Sequence, residues 1–571
     1  MPAAPLRPRL RSRLRALAAA LLAIVALPGA ALANRLDWPP VSTNVPVCTS
    51  PGLQNYRTAI SDGAGGMYVA WTDTRFVVAD VYVQRIGADG TALWLTNGRL
   101  TGGAPGVQDQ PTLVSDDAGG VIVVWRDRRY NVLGDIFAQR VDPNGNMMWL
   151  LNGLPVCLAT DEQSNPVVVS DGTGHDGNPS GAIVAWEDHR SGVSIYAQHI
   201  DANGQPLWAV DGIPMTTSLA PQFEPAITAD SLGGAYVAWS QQDVDYDVVA
   251  QHVDGSGDLL WDSLGVRVCG ATGNQFHAHA LAGGAGGTWF AWEDGRVTSL
   301  GSYVQRMNVN GLPTLTPDGI ALSSGLADET DPSLASDGAG GVIAAWTDMR
   351  TDGDIYAQRV DTTGTLLWGY GGDPVCTAAG LQQFASVASD GNGGALVAWE
   401  DYRAGGGDIY SQRLGPDGSA LWTPNGDVTS NAPGSQYQAT VVSNPDSMGI
   451  VVWVDQRSNG NDLYAQQIPP PETAPLVTRL VGALSSAPNP APGATEISFA
   501  LPGAGRTELA IFDASGRRIR TVTSATLPAG GHTVPWDAHD DAGRPCAEGV
   551  YFARLAINGR TLATHRLTLR R

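Results

Sequence analysis

The sequence predicts an all-β protein in which an eight-bladed β-propeller of four-stranded blades precedes a small β-sandwich. Three observations predict this fold: a unit that repeats eight times, four short β-type runs in each unit, and a strand that the last unit lacks but the N-terminal part supplies. The repeat is marked by a tryptophan that recurs at intervals of about 53 residues, at Trp71, Trp125, Trp186, Trp239, Trp292, Trp346, Trp399 and Trp453. Repeats of this length with four strands each are typical of propellers.

The sixth unit shows the four strands most clearly. Its first run begins at Pro332, and the turn Ser336-Asp-Gly-Ala-Gly-Gly341 connects it to the second run, Val342–Trp346. The third run is Asp354–Asp361, and the fourth follows Leu367-Trp368. Gly, Asp and Asn accept the left-handed backbone that tight hairpins need, so these connections favour antiparallel strands.

The two ends of the repeat region predict a closed ring. The eighth unit stops at Ile468 after only three strands, whereas Asn44–Cys48, preceded by Leu36-Asp-Trp38, matches the fourth strand of a complete unit. The N-terminal strand is therefore expected to complete the last blade, which removes the exposed sheet edges of an open array. We predict that the propeller spans residues 34–468.

Residues 1–33 are predicted to be a signal peptide. Five arginines precede the apolar run Ala16–Leu27, and Ala31-Leu32-Ala33 provides a cleavage signal. The apolar run is too short for a membrane span, and no other run approaches that length. The mature chain is therefore expected to lack a transmembrane span and to be secreted, either extracellular or at a bacterial cell surface.

The charge balance excludes one class of partner. The 571 residues contain 56 acidic and 34 basic side chains, a formal net charge of −22, and loss of the five signal arginines would make it about −27 (−22 − 5). Such a chain is a poor partner for nucleic acid or anionic membranes, because phosphate binding depends on Lys and Arg. We expect no nucleic-acid partner and a monomeric protein.

Most of the polar residues that stand out are repeated, which favours a structural role. Seven of the eight units carry W-x-D-x-R, as in Trp399-Glu-Asp401-Tyr-Arg403. A catalytic group is needed once, so the repeated Asp–Arg pair is interpreted as a contact between blades. A glutamate directly after the tryptophan recurs in alternate units, at Glu187, Glu293 and Glu400. A cysteine also recurs in alternate units, at Cys48, Cys157, Cys269 and Cys376. These cysteines are expected to be buried without a disulfide.

Departures from the repeat identify one candidate ligand site. The fourth unit replaces W-x-D-x-R with a segment that contains Asp243 and Asp245, and the fifth opens with His277 and His279 on one strand face. Because the units are adjacent, these four residues are the predicted ligand-binding site; the alternative is solvated loop acids beside ordinary histidines. A Ca²⁺ loop would need a glycine that is missing here, so no cofactor is expected and the metal content is left open. No catalytic residue is assigned.

After a proline-rich linker at 469–484, residues 485–571 form a separate module. Strand-like runs and glycine turns predict a small β-sandwich, and the ordered elements Pro488-Asn-Pro490, Asp513-Ala-Ser-Gly516-Arg, Trp536-Asp537 and Gly549-Val-Tyr-Phe552 carry a resemblance. The module resembles the FlgD-type Ig-like domain and the similar type IX secretion sorting domain. This resemblance implies a bacterial protein that a secretion or sorting machinery delivers or anchors through its C-terminal domain; the alternative is a simple spacer. The role of Cys546 is left open.

Two functions remain open from the sequence. The first is a non-catalytic binding or scaffold protein with a glycan or protein ligand, exported and held through its C-terminal domain. The second is a secreted polysaccharide-active enzyme, a glycosidase or lyase of the sialidase-like propeller type. An enzyme should show an axial pocket lined by acids, His or Tyr that do not repeat, whereas a scaffold should show the same residue eight times.

Overall fold

The computed structural model describes residues 38–570 except 175–176, 285–286, 324, 326, 445–447, 459, 469–483, 488, 490, 492, 502–504, 515, 528–529 and 558–559. The predicted signal peptide lies outside the described residues, as does the predicted linker except for Leu484. The chain divides into two compact units with a boundary between Gln467 and Ile468. All regular elements in the described ranges are β-strands, and no helix among them is long and apolar enough to span a membrane.

The first unit begins with β1 (Val45–Cys48) and contains eight four-stranded antiparallel sheets. We number them by the chain order of their first strands: sheet 1 (β2 Gln54–Ser61, β3 Met67–Phe76, β4 Val78–Ile86, β5 Arg99–Gly102), sheet 2 (β6 Gln108–Ser115, β7 Val121–Asp127, β8 Asp135–Val141, β9 Leu154–Cys157), sheet 3 (β10 Gln163–Ser170, β11 Ala182–Asp188, β12 Ser194–Ile200, β13 Ile213–Pro214), sheet 4 (β14 Gln222–Ala229, β15 Ala235–Gln242, β16 Tyr246–Val253, β17 Val266–Cys269), sheet 5 (β18 Gln275–Ala282, β19 Gly287–Asp294, β20 Gly301–Asn308, β21 Ile320–Ala321), sheet 6 (β22 Glu329–Ser336, β23 Val342–Asp348, β24 Asp354–Val360, β25 Asp373–Cys376), sheet 7 (β26 Gln382–Ser389, β27 Ala395–Asp401, β28 Asp408–Leu414, β29 Asp427–Ser430) and sheet 8 (β30 Gln436–Ser443, β31 Gly449–Asp455, β32 Asp462–Ile468, with β1).

The first strands of the eight sheets contact one another in a closed cycle. Each contacts the first strand of the next sheet, and β30 of sheet 8 contacts β2 of sheet 1. Sheet 8 takes its fourth strand from the N-terminal segment, because β1 pairs antiparallel with β32, with Val45 opposite Ala465. These sheets are consistent with the blades of a propeller, and the pairing of β1 follows the expectation from its sequence.

Apolar layers between neighbouring sheets form the core of this unit. The eight repeat tryptophans are fully buried. Trp71 of sheet 1 packs in one cluster with Ile450 and Val452 of sheet 8, and Trp399 of sheet 7 lies in a cluster with Ile343 of sheet 6. The tryptophans are thus packing anchors between consecutive sheets.

The Asp–Arg pair of the W-x-D-x-R motif lies within one sheet, which corrects its interpretation as a contact between blades. In sheet 7, Asp401 accepts hydrogen bonds from Trp399 Nε1 at 2.9 Å and from Arg403 Nε at 2.8 Å. Arg403 also stacks on the Tyr410 ring of the same sheet, 4.0 Å from its centroid. The contact between sheets comes from the alternate cysteine, because Arg403 Nη2 lies 3.0 Å from Cys376 Sγ of sheet 6.

The cysteines of the described residues are buried and form no disulfide, and this includes Cys546 in the second unit. Burial raises the pKa of Cys48, Cys157 and Cys269 to about 12 and that of Cys376 to about 11. The thiols therefore stay protonated at neutral pH, which agrees with the expectation of small buried side chains without disulfides.

Three aspartates at or near the start of third strands predict a pH-dependent stability. Burial, with a facing aspartate as a further cause, raises the pKa of Asp80, Asp135 and Asp408 to about 6. The folded chain therefore binds more protons than the unfolded chain between about pH 4 and 6, so its stability falls as the pH rises through this range. We expect unfolding at pH 7.5 to cost on the order of 2–4 kcal/mol less than at pH 5.

Urea denaturation at the two pH values measures this difference. The triple variant Asp80→Asn/Asp135→Asn/Asp408→Asn should show a flatter pH dependence, because its amides do not titrate. Greater stability at pH 7.5 than at pH 5, or an unchanged slope in the triple variant, would contradict the assignment to these carboxyl groups.

The second unit contains two sheets whose facing sides enclose a separate core. The core includes Ile497, Phe499, Leu509, Trp536 and Leu567. One sheet has the order β33-β34-β37 and the other β36-β35-β38-β39, with these bounds: β33 Ser485–Ala487, β34 Thr495–Leu501, β35 Gly505–Asp513, β36 Arg518–Leu527, β37 Gly530–Trp536, β38 Gly549–Ile557 and β39 Arg560–Leu569. The arrangement is the small β-sandwich that the sequence predicts.

Candidate functional site

A β-bulge near the start of each first strand positions the side chains of the candidate site. In sheets 2–8 the pairing register shifts after the second residue, and the third residue has a φ between 52° and 57°. Non-glycine residues rarely adopt this left-handed conformation, and bulges redirect side chains next to functional sites. We call these seven the bulge residues: Gln110, Asn165, Glu224, His277, Asp331, Phe384 and Gln438.

A cavity of about 880 Å³ lies where the first strands of all eight sheets meet. Six of the seven bulge residues line it, all except Gln438, together with Arg57 of β2 and Thr440 of β30. The bulge residues have the same backbone position in each sheet, yet seven positions carry six residue types. The wall of this axial cavity is therefore non-repeating, although the sheets around it are built from one repeated unit.

The centre of the charged side of the cavity is His277, which lies between two carboxylates. Its Nε2 is 3.3 Å from Glu224 Oε1, and its Nδ1 is 3.1 Å from Glu293 Oε2. These hydrogen bonds raise the pKa of His277 to about 10, and the bond from His277 lowers the pKa of Glu224. At neutral pH the group is a doubly protonated imidazolium between two carboxylates, with one net negative charge.

The glutamates of alternate units hold the bulges in place. Glu293 Oε1 accepts the backbone N–H of Asp331 in the next sheet at 2.7 Å. Glu187 accepts the N–H of Glu224 at 2.7 Å, and Glu400 accepts the N–H of Gln438. All three glutamate side chains are buried. Each carboxylate thus satisfies a backbone donor that the bulge removes from the ladder.

The remaining wall combines amide, aromatic and acidic groups. Gln110 and Asn165 bond to each other, with Gln110 Nε2 donating to Asn165 Oδ1 at 2.8 Å. Phe384 is 45% exposed, so part of its ring is open to a ligand. Burial, with the nearby charge of Glu293, raises the pKa of Asp331.

Arg57 provides the positive charge on the side of sheet 1. Its Nη1 donates to Thr440 Oγ1 at 2.6 Å. Its Nε is buried and has no hydrogen-bond partner among the described residues. Enclosure lowers the pKa of Arg57 to about 10, an effect that the charge of Glu400 opposes, so the guanidinium remains charged at neutral pH.

The structure separates the four residues that the sequence groups into one site. His277 and His279 both line the cavity, and enclosure together with the charge of His277 lowers the pKa of His279. Asp243 and Asp245 lie in the turn after β15 and are not among the residues that line it. Asp243 pairs with Arg267 at 2.7 Å, and Asp245 accepts the backbone N–H of Gly273 at 2.8 Å.

Sequence reasoning missed Glu224, Glu293, Asp331 and Arg57 as members of one cavity. A usable signal was present, because a Gln or Glu opens every first strand and the second residue after it varies from unit to unit. Within the described residues there is no cluster of three or more His, Cys, Asp or Glu side chains that could hold a metal ion.

Comparison with known proteins identifies the C-terminal module. Residues 487–558 match the FlgD Ig-like domain family, which confirms this part of the resemblance seen in the sequence. The match does not extend to a sorting domain, so that part stays a prediction. A comparison with curated proteins finds no match.

Solved structures similar to the chain share little sequence with it. A protein of unknown function from Dyadobacter fermentans is 10% identical with a TM-score of 0.36, over 75% of this chain and 98% of its own. PorZ, a surface component of the type IX secretion system of Porphyromonas gingivalis, is 13% identical with a TM-score of 0.27, over 89% and 79%. A PL25 ulvan lyase is 11% identical with a TM-score of 0.37, over 73% and 94%. At these scores the likenesses carry no argument about the function of this chain.

Proposed function

We propose that this chain is an exported eight-bladed β-propeller that binds a saccharide in its axial cavity and is delivered to, or held at, the cell surface through its FlgD-type Ig-like module. The observation that carries the proposal is the non-repeating cavity wall. A ring that served only as a scaffold would present one residue type around its axis, whereas here six side chains at equivalent positions form a varied surface of five polar groups and one phenyl ring. The basic, apolar and small-residue pattern of residues 1–33 supports export.

The chemistry of the wall favours a saccharide over an apolar ligand. Carboxylates such as Glu224 and Asp331 and the amides of Gln110 and Asn165 accept or donate hydrogen bonds to hydroxyl groups. The exposed ring of Phe384 offers an apolar face for the C–H groups of a sugar ring. The cavity volume of about 880 Å³ lies within the usual range of ligand pockets.

A second candidate is a polysaccharide-active enzyme with its reaction in the same cavity, and a non-repeating wall with acids and histidines is also the pattern that an enzyme should show. Glu224 has a lowered pKa and Asp331 a raised pKa. Two carboxyl groups whose pKa values move in opposite directions are the arrangement that glycosidases use for a charged carboxylate and a general acid. This candidate shares the ligand class of the first and differs by adding a chemical step.

The test is saccharide binding by the mature full-length chain, screened on a glycan array and measured by titration calorimetry. Glu224→Gln should weaken binding by about tenfold or more, since a hydrogen bond to a charged group contributes about 1.5–3 kcal/mol. The matched control Asp243→Asn should leave the affinity unchanged, because Asp243 lies outside the cavity wall.

The outcomes separate the two candidates. Binding without release of new reducing or unsaturated ends favours the binding protein. Cleavage that Asp331→Asn abolishes, while saccharide binding is weakened but still measurable, favours the enzyme. If no saccharide binds, or if Asp243→Asn weakens binding as much as Glu224→Gln, the axial cavity is not the saccharide site.

A further inference from the structure

Opposite charges lie on opposite sides of the axial cavity. The first strands follow one another in a cycle of eight, so sheet 1, which carries Arg57, is four steps from sheet 5, which carries His277. Glu224 of sheet 4 and Asp331 of sheet 6 flank His277. The cavity therefore has a basic side and, across from it, an acidic side.

Arg57 is the arginine among the residues that line the cavity. Its guanidinium uses Nη1 for Thr440, but the buried Nε has no partner among the described residues. A buried donor without a partner lowers the stability of the fold, and such groups call for a functional explanation. A carboxylate is the group that best matches a guanidinium edge, because it can accept two parallel N–H donors.

The acidic side excludes a second anionic group. Glu224 and Glu293 each approach His277 within 3.3 Å, and their two negative charges exceed its single positive charge. Asp331 adds another carboxyl group beside Glu293. A ligand carboxylate placed here would be repelled, whereas hydroxyl groups could donate hydrogen bonds to these oxygens.

We propose that the cavity selects an acidic saccharide, in which a uronate-type carboxylate binds Arg57 and the hydroxyl groups of the ligand face Glu224 and Asp331. This inference rests on the proposed saccharide function and deepens it by naming the ligand class. It also fixes the orientation, because only one end of the ligand carries the anion.

The experiment compares acidic oligosaccharides with their own methyl esters by titration calorimetry on the mature full-length chain. Short oligosaccharides that carry a single galacturonate, glucuronate or mannuronate at one end and neutral sugars elsewhere serve as probes, and esterification removes the charge while keeping every hydroxyl group. We expect at least one acidic oligomer to bind about tenfold or more tightly than its ester, and Arg57→Gln to abolish this preference. Asp331→Asn should weaken acid and ester equally.

Two further variants control for folding and for general charge effects. Arg57→Lys keeps the charge but loses the two-donor edge, so it should retain only part of the preference. Arg267→Gln removes an exposed arginine outside the cavity wall and should leave the preference intact. Melting temperatures within a few degrees of the parent chain would establish that the Arg57 variants are folded.

The outcomes distinguish this inference from the proposed function. If esters bind as tightly as acids, or if Arg57→Gln keeps the preference, the inference is overturned while the saccharide function stands. If neither form binds but neutral saccharides do, the inference fails in the same way. If no saccharide of any kind binds, both fail.

Discussion

Asp401→Asn is expected to destabilise the eight-sheet unit by about 3–5 kcal/mol, because it removes one partner of a buried ion pair. Asp401 is fully buried and accepts hydrogen bonds from Trp399 and from three N–H groups of Arg403. The amide turns one of these acceptor oxygens into a donor and leaves the guanidinium without its counter-charge. Urea denaturation followed by tryptophan fluorescence measures the loss.

Sheet 4 provides the matched control for this prediction. It lacks the W-x-D-x-R motif, and its Asp243 pairs instead with Arg267, whose side chain is 56% exposed. Exposed pairs contribute about 0–1 kcal/mol, so Asp243→Asn should change the stability by no more than that. Equal losses of stability in the two variants would show that the contribution of the Asp401–Arg403 pair to the free energy of unfolding does not depend on its burial.

Glu293→Ala is expected to destabilise the same unit by about 2–4 kcal/mol and to lower the pKa of His277. The carboxylate holds two partners, the imidazolium of His277 at 3.1 Å and the backbone N–H of Asp331 at 2.7 Å. Hydrogen bonds to charged groups contribute about 1.5–3 kcal/mol each, and both are lost. The bond to His277 contributes less than this range, because the His277 side chain is 52% exposed. Without Glu293, the pKa of His277 should fall from about 10 toward its ordinary 6.5, to an extent limited by Glu224.

Glu293→Gln separates the two roles of this residue. The amide oxygen can still accept the N–H of Asp331, so the loss of stability should be smaller than for Ala. The negative charge is gone, so the pKa of His277 should still fall. NMR titration of ¹³C-labelled histidine measures the pKa, and denaturation measures stability. An unchanged pKa of His277 in both variants would show that Glu293 does not hold the imidazolium.

The repeated scaffold and the varied site are physically linked. Each bulge residue has a left-handed backbone that is unfavourable for a side chain other than glycine. Buried glutamates from the preceding sheet accept the backbone N–H at three of these positions, and Thr347 Oγ1 accepts that of Phe384 at 3.0 Å. Because the backbone is fixed by the neighbouring sheet, the bulge side chain can vary without loss of the fold. The ring of sheets can therefore carry chemically different side chains at equivalent positions.

The sequence by itself determined the strands, the eightfold repeat and the pairing of the N-terminal strand with the last unit. These features follow from local turn chemistry and from the spacing of Trp71 and its seven equivalents, both of which can be counted along the chain. The C-terminal module was equally accessible, because its motifs occur in order over a short stretch that matches the FlgD Ig-like family.

Only the tertiary structure decided which polar side chains share a cavity. Arg57, Glu224 and Asp331 lie in different units, and their meeting depends on the closure of the strand cycle and on bulges that redirect each third residue. Asp243 and His277 belong to neighbouring repeat units but have different surroundings. Asp243 lies in the turn after β15 and pairs with Arg267, whereas His277 lies at a bulge and lines the cavity. Spacing along the chain fixes strand position, but the direction of a side chain at a bulge is set by contacts between sheets, and these are absent from any single repeat.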